Sequence, residues 1–240
     1  SFMVGKMGWS AINAMPNVSG GYGMFDTEVA IAAGGYSSDS LAEDEDMLIR
    51  MIGYCCDFNR KYRVVQIPDT CCWTEGPANL KILNRQRTRW GHGLIQTFGK
   101  YYRMMFKKKY RQLGLITMPH QFIFELLAPV IEFVGLLTTI YLAFTGGVNW
   151  GTAAIIFAVM YVFCVQLSLV VIYYDYTQTK MKGFAYLRLI VAALLEPFVY
   201  HPLIVLFSLR GYLKFITKQR IVWGEMTRHG FAKKPTKAAS

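Results

Sequence analysis

The chain has 240 residues, enough for one or two domains, and 53% of them are hydrophobic, which argues against a wholly soluble protein. Lys and Arg number 26 against 15 Asp and Glu, a net charge of +11 suited to nucleic acid, anionic lipid headgroups or a phosphorylated substrate. The 5 cysteines do not offer a zinc site, because Cys55-Cys56 and Cys71-Cys72 are adjacent where paired ligands are usually spaced C-x2-C to C-x4-C; they read as reduced packing residues of a cytosolic domain.

In chain order, Ser1 to Lys6 lacks the basic start and apolar core of a signal peptide. The chain opens without Met in what reads as mid-domain, so it is expected to be part of a longer protein. Up to about Thr117 the pattern is that of a soluble α/β fold, punctuated by Gly, Pro and Asp. Asp26 can cap a short helix running to Ala33 and ended by Gly34-Gly35. Ser40 can cap a second helix, with Leu48, Met51, Ile52 and Cys55 marking its buried face. Tyr62 to Ile67 reads as a strand stopped by Pro68-Asp69. A further helix starts near Pro77 and carries Leu80, Leu83, Trp90 and Leu94 at helical spacing.

Residues 99–117 mix aromatics with basic side chains, as in an amphipathic helix lying at headgroup level. A span beginning a few residues later favours a lipid surface over nucleic acid as its partner. Residues 118–144 and 150–173 are each apolar for long enough to cross a core about 30 Å thick. Residues 184–209 are long enough too, but Glu196-Pro197 and His201-Pro202 interrupt them, so they either span with a kink or fold back as a re-entrant pair. Lys100, Arg103, Lys107 to Lys109 and Arg111 precede the first span, the Gly146 turn is uncharged, and Lys180 and Lys182 follow the second; this places the soluble part in the cytoplasm. The basic tail, residues 217–240, argues for the same side, which needs an even number of crossings.

Two clusters can carry chemistry. Glu43-Asp44-Glu45-Asp46 begins a helix, where the positive end of the macrodipole favours carboxylates. Such a cluster is either ordinary N-terminal charge or a held base that takes a proton from a sugar hydroxyl. In Gln86-Arg87-Thr88-Arg89-Trp90, residues 86, 89 and 90 project within about one third of the helix circumference. An indole suits the apolar face of a sugar ring and a guanidinium suits a diphosphate; alone, the same pentad would read as an amphipathic helix with a core Trp and surface arginines.

Together, in this order and ahead of a span, Asp39-Ser40-Leu41-Ala42-Glu43-Asp44 and Gln86-Arg87-Thr88-Arg89-Trp90 resemble the T-E-D-type and Q-x-x-R-W signatures of processive family 2 glycosyltransferases, the cellulose, hyaluronan and poly-N-acetylglucosamine synthases. Val18 to Phe25 resembles the segment beneath the acceptor sugar, Gly34-Gly35-Tyr36 its usual follower, and Trp223 to Phe231 the end of bacterial membrane enzymes of this kind. The resemblance implies the C-terminal part of an α/β GT-A-type catalytic domain over residues 1–98, the interfacial helix 99–117, α-helical transmembrane residues 118–216 and the tail. It implies Asp44 as general base beside Glu43, and an acceptor and diphosphate site of Gln86, Arg87, Arg89, Trp90, Ser19 and Gly20. Ala42 departs from the Thr or Ser usual at its position. The metal ligands, a D-x-D motif for Mg2+ or Mn2+, would lie upstream, since Asp26 and Asp39 are isolated and this segment offers no metal site of its own.

Glu125 and Glu132, seven residues apart, share a face of the first span, and Glu196 and Tyr200 are one turn apart in the third stretch. Such acids either line a path for a hydroxyl-rich polymer or pair with a buried His or Arg. The expected protein is a multi-pass enzyme of the plasma (bacterial inner) membrane with a cytoplasmic catalytic part. It would transfer sugar with inversion from a UDP-sugar to a growing polysaccharide, alongside accessory export subunits. A non-processive transferase acting on a lipid acceptor and a non-enzymatic membrane scaffold are the alternatives.

Overall fold

The computed structural model describes residues 2–67, 75–179, 183–219 and 221. Cys71, Cys72, Pro68-Asp69, Lys180, Lys182 and the Trp223 to Phe231 segment lie outside the described residues.

Helix α1 (Phe2–Ala11) leads into the turn at Asn13. Helix α2 (Thr27–Ala32) starts where the Asp26 carboxylate accepts the Val29 N–H at 3.1 Å and ends at Gly34 and Gly35, whose φ angles of +92° and +63° suit glycine. Helix α3 (Glu43–Asp57) buries Leu48, Met51, Ile52 and Cys55 as their spacing predicts. Its cap is not Ser40. Ala42 stands at that position and caps with no side chain, while the Ser40 hydroxyl accepts the Ala42 N–H at 3.3 Å.

No strand occurs among the described residues, so the α/β GT-A architecture expected from the sequence is not seen here. The expected strand at Tyr62 to Ile67 is a chain segment bonded by side chains: Asn13 donates to the Tyr62 carbonyl at 3.2 Å and accepts the Val64 N–H at 2.9 Å, and Ser10 accepts the Gln66 N–H at 3.1 Å. A strand needs a neighbouring ladder to satisfy its backbone; here α1 and the turn after it supply the partners.

Helix α4 (Leu80–Tyr101) begins where Asn79 accepts the Ile82 N–H at 3.0 Å. Leu83 is buried as expected, but Leu80 and Trp90 are exposed. The buried face is instead Ile82, Leu83, Thr88, Gly91, Gly93, Thr97 and Phe98. The amphipathic helix expected over 99–117 is broken into 3-10 turns at Tyr102–Met104 and Lys108–Tyr110, with Phe106 and Arg111 at positive φ. Gly114 closes this knot: its carbonyl accepts the Phe106 N–H at 2.8 Å, and a Cβ there would stand 2.7 Å from the carbonyls of Met104 and Lys107.

The first candidate span runs Leu113–Phe144, beginning five residues earlier than hydropathy suggests, and Leu113, Thr117 and Met118 at its base are buried inside the protein. Wide π turns at Leu113–Thr117 and Phe122–Leu127 sit ahead of Pro119 and Pro129, whose missing N–H groups disturb the ordinary helical ladder. The second apolar helix is Trp150–Thr179, apolar enough to span over Trp150–Tyr174. The broken third stretch is a pair, Gly183–Leu195 and Tyr200–Ile216, bent by 62°. Among the described residues, two helices are long and apolar enough to cross a membrane, or three if the bent pair is one span.

One core unites the two regions: Leu48, Ile49, Ile52 and Cys56 of α3, Phe98 of α4, and Leu113 and Met118 at the base of the first span. Cys56 of this core and the neighbouring Cys55 are buried free thiols, and burial raises the pKa of both. Beyond Val130 the first span and the second carry mostly exposed apolar side chains, the surface a lipid phase would cover.

Candidate active site

The four acids that open α3 diverge, because successive helical residues are about 100° apart. Asp46 is 1% exposed and takes hydrogen bonds from Lys100 at 2.7 Å, Tyr101 at 2.8 Å and Arg50 at 2.8 Å. Burial alone would raise its pKa, but these donors together hold it below the usual carboxylate value. Arg50 also donates to the Ala33 carbonyl at 2.6 Å and to that of Gly35, so Asp46 anchors the Gly34-Gly35 turn through it. Glu45 is buried and accepts the Gln121 amide at 2.9 Å. Burial, joined by the nearby Glu125 charge, pushes its pKa up to about 8. Glu43 and Asp44 are half-buried.

Asp44 is the acid that faces an open turn. One of its oxygens accepts the Glu45 N–H at 2.9 Å, using a backbone donor left free at the helix start. The other looks onto Gly20, where a Cβ would lie 3.2 Å from it. The Ser19 carbonyl accepts the N–H groups of Tyr22 at 3.3 Å and Gly23 at 2.8 Å, so the segment predicted to lie under an acceptor forms a tight turn over the carboxylate. Ser19 and Gly20 are both exposed. On the protein side lies Lys6 of α1, only 5% exposed. Burial lowers its pKa, against the attraction of the Asp44 charge. Reading the sequence misses Lys6, since a single lysine in an apolar helix carries no spacing signal.

Helix α4 holds the loop that delivers Asp44. Arg89 donates to the Leu41 carbonyl at 3.1 Å. Gln96 accepts the Leu41 N–H at 3.1 Å and donates to the Asp39 carbonyl at 2.6 Å. Gln96 is also absent from the sequence expectations, although a signal existed: Gln86, Arg89, Gly93 and Gln96 fall at i, i+3, i+7 and i+10, one stripe of a helix. Gln86 is half-buried on that stripe.

Arg87 and Trp90 lie to the side of that stripe. The Arg87 guanidinium carbon lies 4.5 Å from the centre of the Trp90 ring, and its Nη2 donates to the Tyr200 hydroxyl at 3.0 Å. Trp90 is 46% exposed, which leaves indole surface available to a ligand. The structure therefore brings Asp44 to Gly20, Arg89 to the loop before Asp44, and Arg87 with Trp90 to the start of the last described helix.

The acids of the first span go separate ways. Glu132, not Glu125, pairs with a histidine, His201 at 2.7 Å. The Glu125 carbonyl accepts the Tyr212 hydroxyl at 3.1 Å, and its side chain neighbours Glu45. The Glu196 side chain is exposed, and its carbonyl accepts the His201 N–H at 2.9 Å. Among the described residues no group of three or more His, Cys, Asp or Glu could hold a metal ion. No step assigned to these residues therefore runs through Mg2+ or Mn2+.

Residues 2–173 match the family model described as glycosyl transferase family group 2. The probable glycosyltransferase YdaM of Bacillus subtilis (strain 168) is 31% identical over 80 residues, which are 33% of this chain and 18% of that protein. The match thus spans less than a fifth of that relative's length. No solved structure matches the chain.

Proposed function

The chain belongs to glycosyl transferase family group 2, and from that premise we propose that it forms the acceptor-side part of a membrane-bound, inverting glycosyltransferase of the GT-A type. Asp44 is its general base. The observation that carries this reading is the placement of Asp44 at the start of α3, with one oxygen held by the Glu45 N–H and the other turned onto the Gly20 turn. An acceptor hydroxyl seated on Ser19 and Gly20 gives its proton to Asp44. The oxygen then attacks the anomeric carbon of a nucleoside-diphosphate sugar such as a UDP-sugar. The new C–O bond forms as the bond to the diphosphate breaks, and the diphosphate leaves with the electron pair.

The exposed Trp90 face, with Gln86 near it, supports the far side of the acceptor sugar by stacking. Arg87 and Arg89 bring positive charge to the same helix, in reach of a departing diphosphate as it moves. A growing polysaccharide is the acceptor we favour, with the first span and the bent pair beside its exit. The link from Arg87 to Tyr200, at the edge of the apolar region, equally suits a lipid-borne acceptor. Product length separates the two: a ladder of long chains from labelled donor supports the polymer, and a single-sugar lipid supports the alternative.

The test of the base is Asp44→Asn in the full-length protein, reconstituted in lipid. Incorporation of labelled sugar should fall about 10²- to 10⁴-fold while nucleotide binding persists. Incorporation near the wild-type rate would remove Asp44 from the mechanism.

A further inference from the structure

The loop that delivers Asp44 has little to hold it locally. Ala42 caps α3 without a side chain, and the side-chain bonds the loop makes within itself are long, with the Ser40 hydroxyl accepting the Ala42 N–H at 3.3 Å and the Ser37 hydroxyl accepting the Asp39 N–H at 3.4 Å. The firm contacts come from α4. The Gln96 amide treats the loop as one strand treats another, accepting the Leu41 N–H and donating to the Asp39 carbonyl. A primary amide can do both at once. Gly93, one turn earlier, lets the loop come close: a Cβ there would stand 3.0 Å from the Ala42 Cβ and 3.2 Å from the Ala42 nitrogen. Arg89 closes the third bond, to the Leu41 carbonyl.

We propose that Gln96 is a positioning residue for sugar transfer: by clamping Asp39 and Leu41 to α4, it fixes Asp44 relative to the Arg89 and Trp90 face of the same helix. This rests on the reading of Asp44 as the base. The clamp matters because the base and the acceptor platform sit on different helices, and the loop at 39–42, which runs straight into α3, is where α4 holds the end of the helix that carries the base. A displacement of about 1 Å in a reacting group can cost about 10²-fold in rate. Gln96 itself lies behind the loop, beside Asp39, Ser40, Asp46, Thr97 and Lys100, and makes its hydrogen bonds to Leu41 and Asp39.

A double-mutant cycle in the reconstituted full-length enzyme tests this. Gln96→Leu should lower kcat about 10- to 100-fold, leave the KM for donor within about twofold, and keep a cooperative thermal transition. Introduced into Asp44→Asn, the same change should lower the residual rate less than twofold, because Gln96 acts through a base already removed. Gln96→Glu gives a rescue: its carboxylate repels the Asp39 carbonyl, but once protonated it can accept and donate as the amide does. The rate of that variant relative to wild type should therefore rise as the assay pH is lowered. Wild-type kcat in Gln96→Leu would overturn the proposal, as would an equal loss in both backgrounds, which marks a general structural effect. If Gln96→Leu fails to fold, Gln96→Glu takes its place in the cycle with the same criteria. Should Asp44→Asn itself stay active, the assignment of the base fails, an outcome distinct from failure of the clamp.

Discussion

Glu45 accepts a hydrogen bond from Gln121 at 2.9 Å, tying the helix that carries Asp44 to the base of the first span. Burial and the Glu125 charge push the Glu45 pKa up to about 8, against an ordinary 4.5. The folded protein therefore keeps a proton that the unfolded chain releases at lower pH. The stability this gives is full below about pH 4.5 and is lost as the pH rises through about 8. Melting temperature in detergent should fall between pH 6 and pH 9 in the wild type and fall less in Glu45→Gln, whose amide is neutral throughout. Equal slopes would mean that Glu45 is ionised in the fold.

Asp46, one residue on, has the opposite sign. Its lowered pKa means that its contribution is present above an ordinary carboxylate value of 3.8 and is lost as the pH falls through the folded one. Asp46→Asn should cost about 1–3 kcal/mol near neutral pH, as expected for hydrogen bonds to a buried charged group. Part of that cost should appear as faster amide exchange at Gly34 and Gly35, since Arg50 reaches that turn from Asp46. Denaturant titration gives the first quantity and hydrogen exchange the second. An unchanged unfolding midpoint would show that Lys100, Tyr101 and Arg50 hold one another without it.

Small residues explain why some of this was legible in the sequence and some not. The acids opening α3, its buried stripe and the caps at Asp26 and the Gly34-Gly35 turn follow from local rules that act within a few residues, and they stand as read. The face of α4 was misread because Leu80 and Trp90 dominate any hydropathy pattern there, while Thr88, Gly91, Gly93 and Thr97 do the burying. Glycine and threonine let backbones approach yet add little apolar signal. The segment at 62–67 has strand composition, but composition cannot say that Ser10 and Asn13 will satisfy its backbone from 50 or so residues away. The break at Phe106 depends on Gly114 accepting its N–H across eight residues, a tertiary contact that no helical period announces. For the same reason Gln96 shows in the sequence only as part of a stripe on α4, and its role as a clamp needs the loop it holds.

The contact between α4 and the Tyr200–Ile216 helix makes a direct test of that lesson. A Cβ on Gly91 would lie 2.7 Å from the Ser208 carbonyl oxygen, and one on Gly211 would stand 2.8 Å from the His92 nitrogen. Both neighbours are backbone, so neither can move aside without shifting a helix. Gly91→Val and Gly211→Val should each destabilise by about 1–3 kcal/mol, the usual range for overpacking. Gly5→Ala, with open space around its Cβ position, is the control and should change little. Detergent unfolding with intrinsic fluorescence reads all three, and wild-type stability in Gly211→Val would show that these helices separate at little cost.

Pro129 explains one of the bonds that join the last described helix to the first span. A proline has no N–H to return to the carbonyl four residues earlier, which here belongs to Glu125, and that carbonyl accepts the hydroxyl of Tyr212, a side chain only 5% exposed. In an apolar phase an open carbonyl has no water to turn to, so Tyr212→Phe should destabilise, by about 0.6–2 kcal/mol on the scale of interhelical hydrogen bonds in membranes. The proline gives the argument its check. In a Pro129→Ala background the new N–H can serve the Glu125 carbonyl from within the helix, and Tyr212→Phe should then cost measurably less than it does beside Pro129. Unfolding in bicelles, run on the four members of this cycle, isolates the coupling between residues 129 and 212. Zero coupling would mean that Tyr212 contributes through the packing of its ring, which Phe retains, and that the π turn over Phe122–Leu127 satisfies the carbonyl on its own.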